Sequence, residues 1–218
     1  MSLRKIGKLV SLLLLYYLLA WYSTRILENI EYENYLIRAW QSSFYKLDVR
    51  CIHWIAMRIA IWIAVFLELM RLENPLTIYL FIRERNFISL FIKTYCKCLL
   101  EVIFYFGLAM LAMAAYFFLL TGSWEVFGGL WQEKTAVIVL RESLDGLNFC
   151  LAAYFLYCFT KHAEISFLVI LTLRLLLGFA VKGEHIGVWT ELFVNILLAA
   201  GTLYYASRNF VKRVNGDN

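Results

Sequence analysis

Charged residues are scarce in this chain, and proline is limited to a single residue, Pro75. Only 17% of the 218 residues are Asp, Glu, Lys or Arg, whereas 62% are apolar, and the mean hydropathy is +0.69. So few charged residues cannot supply the hydrophilic surface that a soluble domain needs. The composition therefore predicts a polytopic membrane protein.

The chain also lacks the short motifs that carry common enzyme chemistry. It contains no H-E-x-x-H, no G-x-S-x-G and no G-x-x-x-x-G-K-[ST], which excludes zinc peptidase, hydrolase and phosphate-loop sites of those kinds. We therefore predict no enzyme activity, no cofactor and no metal in this chain, with any ATP and Mg²⁺ bound by a partner. No internal repeat or low-complexity linker divides the sequence, so residues 1–218 are predicted to form one transmembrane domain.

Long apolar stretches predict the fold class. A helix needs roughly 17 to 25 residues to cross the hydrocarbon core, and no alternating pattern of strands is visible. We therefore expect an all-α bundle of six transmembrane helices. The predicted spans are residues 9–26, 51–70, 98–120, 136–158, 165–181 and 186–207.

Basic residues orient the predicted bundle. Arg4, Lys5 and Lys8 precede the first apolar run, and no small-residue cleavage site follows it, so this run is predicted to remain as a signal anchor. Basic residues also predominate in the loops that would then lie inside, which predicts cytoplasmic termini in a multi-pass plasma-membrane protein. The net charge of +5 is assigned to loops beside anionic lipid rather than to a nucleic-acid surface.

One long basic segment separates the second and third predicted spans. This basic segment (residues 72–97, LENPLTIYLFIRERNFISLFIKTYCK) is expected to face the cytoplasm. Pro75 indicates a turn into a helix, and apolar residues then recur at roughly helical spacing, as in a helix lying along the inner membrane surface. An ordinary solvated loop helix is the alternative.

Four ionisable residues fall inside predicted spans at similar depths: Arg58, Asp145, Arg174 and Glu191. Such residues are costly in lipid and usually face the bundle interior or a wet cavity. We predict that Arg174 pairs with Glu191, since their spans are consecutive, and that Arg58 and Asp145 form a looser second pair. The pairs would hold the bundle together or line a polar substrate path.

Two further acidic residues, Glu68 and Glu101, lie near the inner ends of the second and third predicted spans. Arg71 and Lys97 are close to them along the sequence. We expect solvation or pairing of these four charges at the cytoplasmic surface.

Cysteine and histidine offer one candidate chemical site. Cys158 and His162 have the i, i+4 spacing of a helix face, and with Cys96 and Cys98 they would suit a metal or a cysteine nucleophile with its base. The alternative is that the cysteines pack as small apolar side chains. An intramembrane peptide-processing enzyme using Cys158 and His162 is therefore kept as an alternative function.

The basic segment, together with six spans and two inner termini, resembles the membrane subunits of ABC-2 type ABC transporters. It is most similar to small permeases of bacterial peptide-antibiotic export and immunity systems. In that comparison Arg83 and Arg85 match a basic turn, Phe87 or Phe91 an aromatic position and Lys93 a lysine before the third span.

The resemblance implies a permease subunit that moves an amphiphilic peptide or lipid and pairs with a second permease, identical or different. A separate cytoplasmic ABC ATPase subunit would drive it through the basic segment. A non-transporting membrane scaffold or sensor is the further alternative. The residues expected to contact the ATPase are Phe81, Ile82, Arg83, Glu84, Arg85 and Phe87.

Overall fold

The described part of the chain is helical, as the apolar runs predict. The structure, a computed structural model, describes residues 10–11, 13–19, 21–22, 52–73, 87–122, 133–180 and 188–214, and these contain no strand. The all-α class is therefore confirmed for these residues. The elements are an N-terminal helical segment within residues 10–22, α1 (Ile52–Met70), a 3₁₀ turn (Arg71–Glu73), α2 (Phe87–Thr121), α3 (Glu133–Thr160), α4 (Ala163–Ala180) and α5 (Val188–Val214).

Helix α2 differs from the prediction at its start. The third span was predicted to begin at residue 98, whereas α2 runs without interruption from Phe87. Residues 87–97 contain no proline or glycine to end a helix. The buried positions Phe87, Phe91, Cys98 and Val102 also recur at helical spacing, so one continuous stripe packs against the bundle.

Helix α3 occupies the centre of the bundle and contacts α1, α2, α4 and α5. An aromatic cluster forms part of this packing: Trp62 stacks on Phe149 with ring centroids 4.4 Å apart, and Phe149 meets the edge of Phe167 at 5.0 Å. Gly146 permits the close approach, since a Cβ atom there would lie 2.6 Å from Nε1 of Trp62. The absence of one side chain thus brings α1 against α3.

The exterior of the bundle is apolar. Large hydrophobic side chains are exposed on the N-terminal segment and on every helix, including Leu14, Leu67, Leu100, Phe159 and Leu168. Helices Phe87–Leu120 and Val188–Arg208 are long and apolar enough to cross a membrane. A surface of this kind is suited to contact with lipid, and the two apolar helices suggest a membrane protein.

Candidate functional site

Three polar residues of α3 form the centre of the candidate site. Glu142, Asp145 and Asn148 are all buried, although each carries a polar or charged side chain. They are spaced by three residues. Each step of three residues covers about 300° around the helix axis, which is about 60° short of a full turn. The three side chains therefore fan out towards three different neighbouring helices, α1, α4 and α5.

Glu142 is shared between two arginines. Its carboxylate accepts from the guanidinium of Arg58 on α1 at 3.1 Å and from that of Arg141 at 3.0 Å. The side chains of Arg58 and Glu142 are only 3% and 5% exposed. A buried carboxylate held by two guanidiniums is well compensated, whereas either charge alone would be costly in the bundle.

Asp145 accepts a charge-assisted hydrogen bond from Arg174 of α4. The predicted pairing of Arg174 with Glu191 is therefore corrected, as is that of Arg58 with Asp145. Equal depth identified residues that lie in the interior, but consecutive helices need not face each other. Here α4 and α5 both pack on α3, so Arg174 and Glu191 meet partners on that central helix.

Glu191 is joined to a chain of neutral hydrogen-bonding groups. Asn148 donates to the Glu191 carboxylate at 2.7 Å and to its backbone carbonyl at 3.0 Å. Asn195 donates to the Asn148 side-chain carbonyl at 2.8 Å, and the Tyr95 hydroxyl of α2 donates to the Asn195 side-chain carbonyl. Four side chains from three helices are thereby connected.

Together these groups form the polar network of the bundle. Its members are Arg58, Tyr95, Arg141, Glu142, Asp145, Asn148, Arg174, Glu191 and Asn195. Three guanidiniums balance three carboxylates, so the network buries many charges without a net charge. It offers donors and acceptors to a polar group entering the bundle.

Sequence reasoning missed more than half of the polar network. Glu142 and Asn148 lie inside the predicted span 136–158, and the spacing of both from Asp145 was visible as a polar stripe. Asn195 lies four residues after Glu191, on the same helix face. Tyr95 carried no signal, because it belongs to the basic segment rather than to a predicted span.

Comparison of the chain with protein-family models, curated proteins and solved structures gives no match.

A second set of charges lies where α1 and α2 meet. Glu68 accepts from Arg71 at 2.8 Å and from Lys97, and Lys97 lies 3.9 Å from Glu101. The expected pairing of these four residues is confirmed. The Arg71 side chain is 67% exposed and that of Lys97 is 50% exposed. Screening by solvent therefore leaves these pairs weaker than those of the buried polar network.

Most residues expected to contact an ATPase lie outside the described part of the chain. These are Phe81, Ile82, Arg83, Glu84 and Arg85. Phe87, by contrast, begins α2 and is buried, with its ring centroid 6.5 Å from that of Phe91. Its ring packs within the bundle rather than projecting from it.

The spacing proposed for Cys158 and His162 is not helical. Helix α3 ends at Thr160, and Lys161 takes the left-handed conformation with φ of 59°, so the chain turns before His162. Cys158 is buried whereas His162 is exposed. The described residues hold no group of three metal-binding side chains and no disulfide.

Proposed function

We propose that the chain is the permease subunit of an ABC transporter, in which the polar network lies on the path of an amphiphilic peptide or lipid. A separate cytoplasmic ATPase supplies the energy, and a second permease completes the path. One observation carries this proposal. Six charged side chains and two amides lie inside a bundle whose exterior is apolar.

Charges inside a membrane bundle are expensive, and they commonly line the path of a polar substrate. Two further groups support this use of the interior. Ser143 and Thr202 are fully buried, and within the described residues their hydroxyl oxygens have no hydrogen-bond partner. Buried hydroxyls without partners are rare in a finished core, and they suit a site that a substrate or water completes.

The proposed topology has six spans with both termini in the cytoplasm. Helices α1 and α4 have 19 and 18 residues, so at 1.5 Å per residue each is about 27 to 28 Å long. That length approaches the hydrocarbon thickness of about 30 Å. Helix α3 carries the polar network on its inner faces while Val137, Leu140 and Phe159 are exposed.

A direct link between the basic segment and the polar network supports coupling to an ATPase. Tyr95 lies in the basic segment and donates its hydroxyl hydrogen bond to Asn195. Helix α2 has 35 residues, about 52 Å, so it exceeds the membrane thickness and transmits displacement of its first turns as a rigid element. A push on the basic segment therefore reaches Asn195 through one hydrogen bond.

The intramembrane enzyme is less favoured, because Cys158 and His162 lack the helical spacing on which it rested. A scaffold that uses the polar network only for stability remains the competing function. The scaffold and the transporter differ in the expected effect of Tyr95→Phe. Removal of one hydroxyl leaves a stable scaffold nearly intact, whereas a transporter loses the link between ATP hydrolysis and substrate movement.

The test is reconstitution of the full chain with its co-purifying ATPase in proteoliposomes. We expect ATP-dependent uptake of a fluorescent amphiphilic peptide and stimulation of ATP hydrolysis by that peptide. Tyr95→Phe should retain the bound ATPase but lose most of the stimulation, while Tyr204→Phe, at an exposed tyrosine, should behave as wild type. Absence of a nucleotide-hydrolysing partner, or equal stimulation in Tyr95→Phe, would contradict the proposal.

A further inference from the structure

A cavity lies between the N-terminal helical segment, α1 and α2. Its volume is about 390 Å³, and its walls are almost entirely apolar. Three alanines of α1 form one wall at a spacing of four residues, and they are exposed to the exterior. Its walls include Leu15, Leu19, Ala56, Ala60, Ala64 and Tyr105.

The size of the cavity restricts what fills it. Ala56 and Ala64 are eight residues apart, so the alanine wall is about 12 Å long. The space open to the centre of a water-sized group, 390 Å³ over that length, is about 6 Å across, so the channel is about 9 Å from wall to wall. A second helix is about 10 to 12 Å in diameter with its side chains, so the channel is too narrow to seat one.

Water is also a poor occupant. A buried water needs two to four polar partners, and apolar cavities remain dry even at about 150 Å³. An empty channel of this size would deprive its walls of dispersion contacts.

The surroundings identify the occupant. The exposed side chains next to the channel are themselves apolar, among them Leu14, Leu18, Ile63 and Leu67. In a membrane protein, the medium in contact with such a surface is the hydrocarbon of the lipid. The geometry points to a site for a single acyl chain of a membrane phospholipid, held between the N-terminal segment and the alanine wall of α1.

This inference goes beyond the proposed transport function, since it requires only that the bundle lie in a membrane. The full chain is reconstituted in phosphatidylcholine vesicles containing a trace of phosphatidylcholine with a diazirine on one acyl chain. After irradiation, the labelled residues are mapped by peptide mass spectrometry. We expect the label to concentrate on Leu15, Leu19 and the segment from Ala56 to Ala64.

Ala60→Phe fills the channel and should lower this labelling by about tenfold, the effect of excluding two buried methylene groups. Ala200→Phe places the same ring on an exposed position of α5 and should leave the labelling unchanged. If Ala60→Phe fails to fold, Ala64→Leu narrows the same channel with a smaller change.

Three results would overturn the site. Label spread evenly over exposed residues such as Leu168 and Ile196 would indicate ordinary surrounding lipid only. Unchanged labelling in both channel variants would show that the acyl chain binds elsewhere on the protein. Cross-links from a photoreactive residue at position 60 to a second copy of the protein would assign the channel to an interface. None of these results depends on an ATPase, so they are separable from failure of the proposed function.

Discussion

Removal of Glu142 should destabilise the bundle more than removal of Arg58, although the two residues form one ion pair. The reason is the position of Glu142 between two guanidiniums, 3.1 Å from Arg58 and 3.0 Å from Arg141. In Arg58→Met, Glu142 keeps its bond to Arg141. In Glu142→Leu, two arginines lose the same carboxylate, and their like charges remain close together.

The expected magnitudes follow from burial. Both partners are nearly inaccessible, so solvent screens little of the interaction. Breaking a buried pair by removing one charge costs about 3 to 5 kcal/mol, which we expect for Glu142→Leu. Loss of one hydrogen bond to a charged group costs about 1.5 to 3 kcal/mol, and we expect the lower end for Arg58→Met. The double variant should cost less than the sum by about 1 to 3 kcal/mol.

Equilibrium unfolding in detergent micelles, followed by tryptophan fluorescence, measures these differences. Trp62 packs in the same core and reports its loss. Glu164→Leu is the matched control, because Glu164 is exposed in the first turn of α4 and should change the free energy of unfolding by less than about 0.5 kcal/mol. A cost for Glu142→Leu no larger than that for Arg58→Met, or no larger than that for the control, would contradict this ranking.

Two other changes test the packing and the coupling. Gly146→Ala should lower the free energy of unfolding by about 1 to 3 kcal/mol, since its Cβ would collide with Trp62, whereas Gly107→Ala has open space and should raise it by about 0.5 to 1 kcal/mol. Thermal unfolding of both variants measures this, and equal shifts would refute the collision. Reversal of both Arg83 and Arg85 to Glu should leave the chain inserted but reduce recovery of the ATPase on co-purification. Unchanged recovery and ATP hydrolysis would rule out these arginines as the contact.

The sequence allowed the helices to be located because each needs a long apolar run, and this signal is local. The bounds of α1 and α4 fall within two residues of the predicted spans. The start of α2 could not be predicted in the same way. Charge near Lys93 and Lys97 indicated a surface helix, but the buried stripe through Phe91 and Cys98 continues the helix across that boundary.

Partners within the bundle were beyond sequence reasoning for a different reason. Depth along a helix follows from counting residues, but the neighbour that a side chain faces depends on how all the helices pack. Arg174 was correctly assigned to the interior, yet its partner lies on the central helix α3 rather than on the next helix along the chain. The predicted helical spacing of Cys158 and His162 was wrong because Lys161 turns the backbone between them.

Accessibility of two adjacent positions on α5 tests the central claim most directly. Asn195 is 1% exposed within the polar network, and Ile196 is 58% exposed on the apolar exterior, although the two lie at nearly the same depth. Single cysteines are placed at each position in a chain whose native cysteines are replaced by alanine, and a membrane-impermeant thiol reagent is applied to proteoliposomes. We expect the reagent to react with Asn195→Cys, on the water-filled path, and not with Ile196→Cys, in lipid. Reaction at Ile196→Cys with protection of Asn195→Cys would contradict it.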